Sequence, residues 1–161
     1  MGVIWTPWRL EFIVGPKPAD CIFCVKPREA RDRENYIVAR GESVFVILNA
    51  YPYANGHLMV VPYEHVGSLE DVPAATAAEM MRLTQASISA LRRAYAPDGF
   101  NIGANLGRAA GAGIADHCHL HVVPRWNGDS NFMGVLGQTR LIPELLADTF
   151  DRLTHAGLTP P

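Results

Sequence analysis

The sequence predicts an α+β domain in which a mostly antiparallel sheet carries one long helix, with a second helix near the C-terminal end. Two observations support this class. Short runs rich in β-branched residues lie on both sides of a single long segment, residues 73–95, and the apolar residues of that segment recur with helical spacing. The order along the chain is therefore strands, one long helix, strands and a terminal helix, which is typical of an α+β fold.

Three strands are expected before the long helix. The runs Tyr36–Ala39 and Val44–Leu48 are rich in β-branched residues, and Arg40-Gly41-Glu42 separates them as a turn. Asn55-Gly56 is a strong signal for a hairpin turn, and His57–Val61 is the strand that returns from it. His57 therefore begins a strand, and we interpret it as a packing or hydrogen-bonding residue rather than a catalytic one.

The long helix is expected to begin at Pro73, because proline is tolerated in the first helical turn, and to end at Pro97-Asp98-Gly99. A strand over Phe100–Asn105 follows, and a C-terminal helix is expected over residues 143–155. The residues predicted to form the buried stripe of the long helix, spaced alternately by four and three, are Ala77, Met81, Thr84, Ile88, Leu91 and Tyr95.

Half of the six histidines lie in the run His117-Cys118-His119-Leu120-His121. Because successive side chains of a strand point to opposite faces, the three imidazoles are expected on one face and the intervening residues on the other. Pro124 is expected to end this strand or to mark its edge. Imidazole titrates near neutral pH, binds metals and attacks electrophiles. Three interpretations are open: chemistry on an anionic substrate, a metal site, or a polar outer strand face.

The segment ahead of the histidines, residues 105–113, holds three glycines and no bulky β-branched residue. Glycine permits a close approach of the backbone to a ligand, and successive N–H groups in such loops can bind an anion. Arg108 adds a charge suited to phosphate. A glycine loop that leads into a histidine strand indicates a phosphate cradle beside a nucleophile, and it favours the first interpretation.

The motif His117-Cys118-His119-Leu120-His121-Val122-Val123 resembles the signature of the histidine triad (HIT) family. The run Gly111–Met133, the N-terminal Trp5-Thr6-Pro7-Trp8-Arg9 and the segment Leu48–Tyr53 resemble the branch of that family that contains diadenosine tetraphosphate phosphorylases. The resemblance implies a HIT-like fold for a single domain over residues 1–161. Its expected parts are an N-terminal arm (1–20), a zinc half-site (21–24), a catalytic core (36–136) and a C-terminal helix (143–155).

The resemblance also implies a reaction, namely nucleotidyl transfer through a covalent intermediate on His119. His121 is then expected to contact phosphate oxygens or the leaving group, and a carbonyl near His117 to hold the tautomer of the nucleophile. The implied nucleotide-binding residues are Asn49 for the ribose hydroxyls, Asn105 for a phosphate, and Gly111 and Gly113 for the phosphates through the loop backbone.

The acceptor of the nucleotidyl group stays open. Water as the second nucleophile gives a hydrolase of a nucleoside phosphoramidate or another AMP-linked substrate, whereas inorganic phosphate gives a phosphorylase. Several hydrolase branches of the family carry Gln where this chain has Gly113, and many relatives carry Glu where it has Leu106. The run Trp126–Phe132 favours the phosphorylase. A nucleotide-binding module without turnover, and a redox-metal enzyme with the three histidines as ligands, are the alternatives from other classes.

The Cys21-Ile22-Phe23-Cys24 segment has three interpretations: a redox pair, a zinc half-site, or two unlinked thiols. A redox pair usually follows a strand, but here Pro16 and Pro18 precede the cysteines. A zinc site needs two further His or Cys ligands. The family resemblance implies that His65 and His117 supply them and that the Zn²⁺ is structural.

Composition limits the other function classes. The formal charge of −2 gives no basic field for nucleic acid or a membrane surface, and no apolar run approaches the roughly 20 residues that span a bilayer. No signal peptide is visible, and three cysteines are too few for a disulfide framework. We therefore expect a cytoplasmic protein. The resemblance to the HIT family implies that it binds an adenine dinucleoside polyphosphate or an AMP derivative. The resemblance implies a homodimer.

Overall fold

The computed structural model describes residues 20–129 and 144–158, and it confirms the α+β class. Five strands form one sheet in the spatial order β1-β2-β3-β5-β4, with antiparallel neighbours throughout. The strands are β1 (Ile37–Arg40), β2 (Val44–Leu48), β3 (Leu58–Pro62), β4 (Gly99–Gly103) and β5 (Leu120–Arg125). The α-helices are α1 (Ile22–Val25), α2 (Asp32–Asn35), α3 (Ala74–Tyr95) and α4 (Leu146–His155), and short 3₁₀ turns cover Lys26–Glu29, Leu69–Asp71 and Arg108–Ala110.

Both faces of the sheet are covered at its centre, because alternate residues of each strand face opposite layers. On β2, Val44 and Val46 pack toward α3 and α4, whereas Phe45 and Ile47 pack toward α1. The α1 layer is anchored by Phe23, whose side chain is fully buried. This thin second layer is the one that matters for function, since it lies over the face where the histidines meet.

The Asn55-Gly56 turn is found directly before β3, as predicted. Gly56 has a positive φ of 76°, and a Cβ at this position would lie 2.7 Å from Cδ2 of Leu91 on α3. Glycine is therefore required here twice, once for the backbone conformation and once for the close packing of the turn on the helix.

Helix α3 has the predicted bounds, but part of its predicted stripe was wrong. Met81 is 53% exposed, and the buried residues are Thr76, Met80, Leu83, Thr84, Ser87, Ala90 and Leu91. Polar residues can enter this face because their hydroxyls are satisfied within the helix. Thr84 donates to the carbonyl of Met80 at 2.8 Å, and Ser87 donates to the carbonyl of Leu83 at 2.7 Å. None of the helices in the described ranges is long and apolar enough to cross a membrane.

The histidine strand is shorter than predicted, because β5 begins at Leu120 and leaves His117 and His119 ahead of it. Pro124 lies inside the strand rather than at its end. It pairs with Phe100 of β4, while the pairing with β3 stops at Val122, so the missing N–H of the proline costs no ladder bond on the β3 side. Residues 1–19 of the predicted N-terminal arm and residues 130–133, the end of the Gly111–Met133 run, lie outside the described residues.

Candidate active site and metal centre

A cleft opens between α1, the connection from β2 to β3, and the glycine loop that leads to β5. The sequence-predicted residues that line it are Asn49, Asn105, Gly111, Gly113, His119 and His121. Other lining residues include Ile22, Phe23, Lys26, Ile47, Tyr51, Tyr53, Met59 and Ile114. The structure thus brings two of the three triad histidines together with all four predicted nucleotide-binding residues.

The glycine loop needs glycine at two positions. Gly107 and Gly111 flank the 3₁₀ turn Arg108–Ala110 and have positive φ values of 76° and 83°. No atom lies within 4 Å of a Cβ built at either position, so the requirement is the backbone conformation and not a lack of space. Arg108 is exposed and does not line the cleft itself.

His119 is held as a neutral imidazole with a defined tautomer. Its side chain is buried, and its Nδ1 lies 2.9 Å from the carbonyl oxygen of His117, to which it donates. Nε2 therefore carries the lone pair. Burial lowers the pKa of His119, although the bond to the His117 carbonyl opposes that effect. The ring of Phe23 packs on it at 5.1 Å between centroids. An unprotonated Nε2 in this position can act as a nucleophile.

His121 is oriented by a second buried histidine, His57. The backbone N–H of Tyr53 donates to Nδ1 of His57 at 3.1 Å, so the proton of that ring is on Nε2. Nε2 of His57 lies 2.9 Å from Nδ1 of His121 and donates to it. The proton of His121 is then on its Nε2, which makes that atom a donor.

The sequence predicts the kind of role that His57 has but not its partner. Sequence reasoning assigned it to hydrogen bonding but not to His121. The partner depends on the register of β3 against β5, in which Leu58 is opposite Val122. That register makes His57 and His121 diagonal neighbours across the two strands, and no local sequence signal gives it.

His117 is turned out of the cleft, so the prediction that all three imidazoles share one cleft was wrong for this residue. It precedes the strand, and strand alternation does not apply to it. Its ring is fully buried, with Nε2 donating to the carbonyl oxygen of Pro62 at 2.9 Å. Its Nδ1 faces Cys21, Cys24 and His65.

These four residues form a compact group of metal-ligand atoms. Nδ1 of His117 lies 3.3 Å from Sγ of Cys21, 3.6 Å from Sγ of Cys24 and 3.2 Å from Nδ1 of His65. Sγ of Cys24 lies 3.4 Å from Nδ1 of His65. Zn–S and Zn–N bonds of about 2.3 and 2.0 Å in a tetrahedron separate neighbouring ligand atoms by about 3.3–3.8 Å, so the donor set and its spacing fit zinc.

The surroundings of this group support a metal centre. Burial and the neighbouring Cys21 raise the pKa of Cys24, and a bound cation would reverse that by stabilising the thiolate. The bond from His117 to the Pro62 carbonyl is the type of contact that orients a ligating imidazole. The three triad histidines do not converge on one point. The redox-metal alternative therefore has no site in the described part of the chain.

Comparisons with known proteins identify the family of this chain. The family model of the HIT domain matches residues 30–128. Over 154 residues the chain is 44% identical to the AP-4-A phosphorylase of Mycobacterium tuberculosis. The alignment covers 91% of this chain and 79% of the relative. The chain is also 31% identical over 120 residues to an adenylylsulfatase of Arabidopsis thaliana. That alignment covers 68% of this chain and 54% of the relative.

Among solved structures, the chain is similar to a Zn-bound histidine triad family protein from Mycobacterium smegmatis. The two share 32% sequence identity and superpose with a TM-score of 0.70. The superposition covers 85% of this chain and 92% of that one.

Proposed function

Since this chain belongs to the HIT family, we propose that it is a nucleotidyltransferase that cleaves dinucleoside polyphosphates, diadenosine tetraphosphate in particular, with inorganic phosphate as the acceptor. The observation that carries the proposal is a neutral, oriented imidazole, His119, in one cleft with a glycine loop. The substrate class is supported by the 44% identity to the AP-4-A phosphorylase.

In the proposed reaction, Nε2 of His119 attacks the α-phosphorus. A P–N bond forms while the P–O bond to the leaving nucleoside triphosphate breaks, and Nε2–H of His121 donates a hydrogen bond to a phosphate oxygen or to the leaving-group oxygen, where negative charge develops. Phosphate then attacks the nucleotidyl-histidine, which releases a nucleoside diphosphate and restores the imidazole. The backbone carbonyl of His117 keeps the proton of His119 on Nδ1 throughout, so Nε2 is the atom that bonds to phosphorus.

The nucleotide is proposed to lie along the cleft. Asn49 would bind the ribose hydroxyls, Asn105 a phosphate oxygen, and the backbone around Gly111 and Gly113 the phosphates. The side-chain oxygen of Asn49 already accepts the N–H of Tyr51 at 2.9 Å, which fixes the orientation of the amide.

We further propose that Cys21, Cys24, His65 and His117 bind a structural Zn²⁺. Four protein ligands leave no open coordination position, so the ion would supply no catalytic chemistry. Its effect would be to fix the α1 layer to the segment that carries His117, whose carbonyl orients the nucleophile. The Zn-bound relative of Mycobacterium smegmatis supports this assignment.

The chain is also proposed to act as a homodimer in the cytoplasm, as one HIT domain over residues 1–161, without nucleic acid or membrane partners. Pairing is implied by the family resemblance. The three cysteines are free thiols, which suits a reducing compartment.

Product analysis tests the function directly. Diadenosine tetraphosphate is incubated with the metal-loaded protein, with and without phosphate. We expect ATP and ADP, with ADP strictly dependent on phosphate. AMP formed at the same rate with and without phosphate would instead support the hydrolase alternative, which the similarity to the adenylylsulfatase favours. Nucleotide binding without any product would leave only the binding module.

A further inference from the structure

Phe23 is a cleft residue whose ring contacts two histidines of the motif at once. Measured between ring centroids, it lies 5.1 Å from His119 and 5.4 Å from His117, and the residue is 1% exposed. The ring planes are inclined by 53° for His119 and 72° for His117, a geometry that aromatic pairs favour. Phe23 therefore joins the proposed nucleophile to a residue of the metal-ligand group, and the reaction described above gives it no role.

The imidazole of His119 depends on ring packing for its orientation, because one hydrogen bond does not fix it. Nδ1 donates to the carbonyl oxygen of His117 at 2.9 Å, but the torsion about the Cβ–Cγ bond of a histidine is broad. The ring of His121 packs against His119 at 4.8 Å between centroids, with 72° between the planes. The ring of Phe23 is a further contact. Together these rings limit the direction in which the attacking Nε2 points.

The backbone ties Phe23 to the metal-ligand group. Cys21 directly precedes α1 and Cys24 lies inside it, so Phe23 stands between two candidate ligands in a helix of four residues. A helix of one turn is not stable by itself. Residues three apart share a helix face, and both thiols accordingly face Nδ1 of His117, at 3.3 and 3.6 Å, while Phe23 projects into the core. An ion that binds both thiols would therefore fix the turn that carries Phe23.

A second connection runs through the ring of His117. Its Nε2 donates to the carbonyl oxygen of Pro62 at 2.9 Å, and its Nδ1 faces the two thiols. With an ion on Nδ1, both ring nitrogens would be bound and the ring could not rotate. Phe23 packs against this ring, so a fixed His117 gives it a fixed neighbour. Loss of the ion would release the ring at one of these two points and the α1 turn at both of its cysteines.

We propose that Phe23 is a positioning residue for the nucleophile and that its effect depends on the metal. Its ring holds His119 in the orientation for attack while an ion in the metal-ligand group fixes the α1 turn and the ring of His117. The inference rests on the proposed nucleophile and the proposed metal site. It deepens both, because it makes the metal-ligand group a determinant of the reaction rate although the ion would touch no substrate atom.

The test compares Phe23→Leu with Phe45→Leu in metal-loaded protein. Phe45 is equally buried, belongs to the same hydrophobic cluster and stacks on Tyr63. Within the described ranges it makes no ring contact with either histidine, so both variants lose a buried ring but only Phe23→Leu loses the contact with His119. Long-range ¹H–¹⁵N spectra of histidine-labelled protein report the tautomer of each imidazole, and His119→Ala identifies the signals of His119.

In the wild type we expect one tautomer of His119, with the proton on Nδ1. Phe23→Leu should average the two nitrogen signals and lower kcat for diadenosine tetraphosphate roughly 10- to 100-fold, the scale of losing the alignment of a reacting group. Chelation of the metal from the wild type should change the spectrum in the same way, and chelation of Phe23→Leu should add little, since the two act through one contact. Phe45→Leu should keep the single tautomer and a kcat close to wild type.

Three results would overturn the inference. A single tautomer of His119 in Phe23→Leu would show that the ring does not orient the nucleophile, and the same spectral change in Phe45→Leu would show a general loss of packing. A change on chelation that is as large in Phe23→Leu as in the wild type would show that the metal acts by another route. Circular dichroism detects unfolding. If Phe23→Leu does not fold, the pair Phe23→Met and Phe45→Met replaces it, and if the chelated protein unfolds, His65→Ala replaces chelation.

The same spectra separate this inference from the proposed function, because they need no turnover. Wild-type protein that cleaves dinucleoside polyphosphates, with a tautomer of His119 that is independent of Phe23, would refute only the role of Phe23. A tautomer that depends on Phe23 and on the metal, in protein that cleaves no dinucleotide, would refute only the function.

Discussion

The histidine motif contributes side chains to two regions of the molecule that differ in exposure and in chemical composition. His119 and His121 line an open cleft and keep defined hydrogen-bond donors and acceptors, while His117 lies in a closed group with Cys21, Cys24 and His65. The two regions meet at the carbonyl of His117, which accepts a hydrogen bond from Nδ1 of His119, and at Phe23, whose ring packs against both imidazoles. The backbone of His117 can therefore orient the nucleophile His119 while its side chain belongs to the metal-ligand group.

The largest expected effect comes from a substitution that disables the cleft and leaves the metal region intact. His119→Ala removes the proposed nucleophile, so turnover should fall by about four orders of magnitude or more, because residues that act as one catalytic unit cannot substitute for each other. Nucleotide affinity and zinc content should stay close to wild type, since their contacts come from other residues. Turnover is measured with diadenosine tetraphosphate, and acid-quenched wild-type protein is mapped by mass spectrometry for a nucleotidyl adduct. An adduct on any other residue would contradict the assignment.

The second prediction breaks the metal region alone. Cys21→Ser removes one of four ligands, and we expect metal content to drop and the free energy of unfolding to fall by about 2–5 kcal/mol, the scale seen when a small domain loses a structural cross-link. Metal analysis and thermal unfolding check both quantities in one preparation. Cys118→Ser is the matched control, because Cys118 is a buried cysteine that follows His117 in the chain but does not belong to the group. Full metal retention in Cys21→Ser would refute the site.

How far the sequence predicts these regions depends on the range of the contacts involved. The strands, the Asn55-Gly56 turn and the bounds of α3 follow from local patterns, and so they could be predicted. The division of the triad could not, because it depends on where β5 begins, and that is set by pairing with β3 at Leu120 and β4 at Gly103. The pair of His57 and His121 likewise depends on strand register. Met81 was misplaced because burial on α3 follows packing geometry rather than residue hydrophobicity.

The third prediction concerns the second oriented histidine of the cleft. His57 orients His121 through Nδ1 of His121, as the carbonyl of His117 orients His119 through Nδ1 of His119. His57→Phe keeps an aromatic ring in the buried position but removes the donor to Nδ1 of His121. We expect kcat to fall roughly 10- to 100-fold, the usual cost of losing a partner that orients a functional histidine. His57→Gln, which retains an N–H donor, should recover part of this. Steady-state kinetics on both variants check the assignment. The metal content of both variants should equal that of the wild type. Loss of zinc in His57→Phe would show that the two regions are not separable in this way.

The smallest expected effect concerns the backbone of the glycine loop rather than a side chain. Gly111 has a φ of 83°, and no atom lies within 4 Å of a Cβ built there, so Gly111→Ala is strained by its backbone alone. The left-handed conformation costs an L-residue about 1 kcal/mol. Either the loop keeps its shape and the protein loses about that much stability, or the loop shifts and nucleotide affinity falls about fivefold. Gly103→Ala in β4 is the control, because that glycine has neither a positive φ nor a close neighbour. Chemical unfolding and AMP titration on the two variants distinguish these outcomes, and Gly111→Ala behaving like Gly103→Ala in both would show that the loop conformation does not contribute to the cleft.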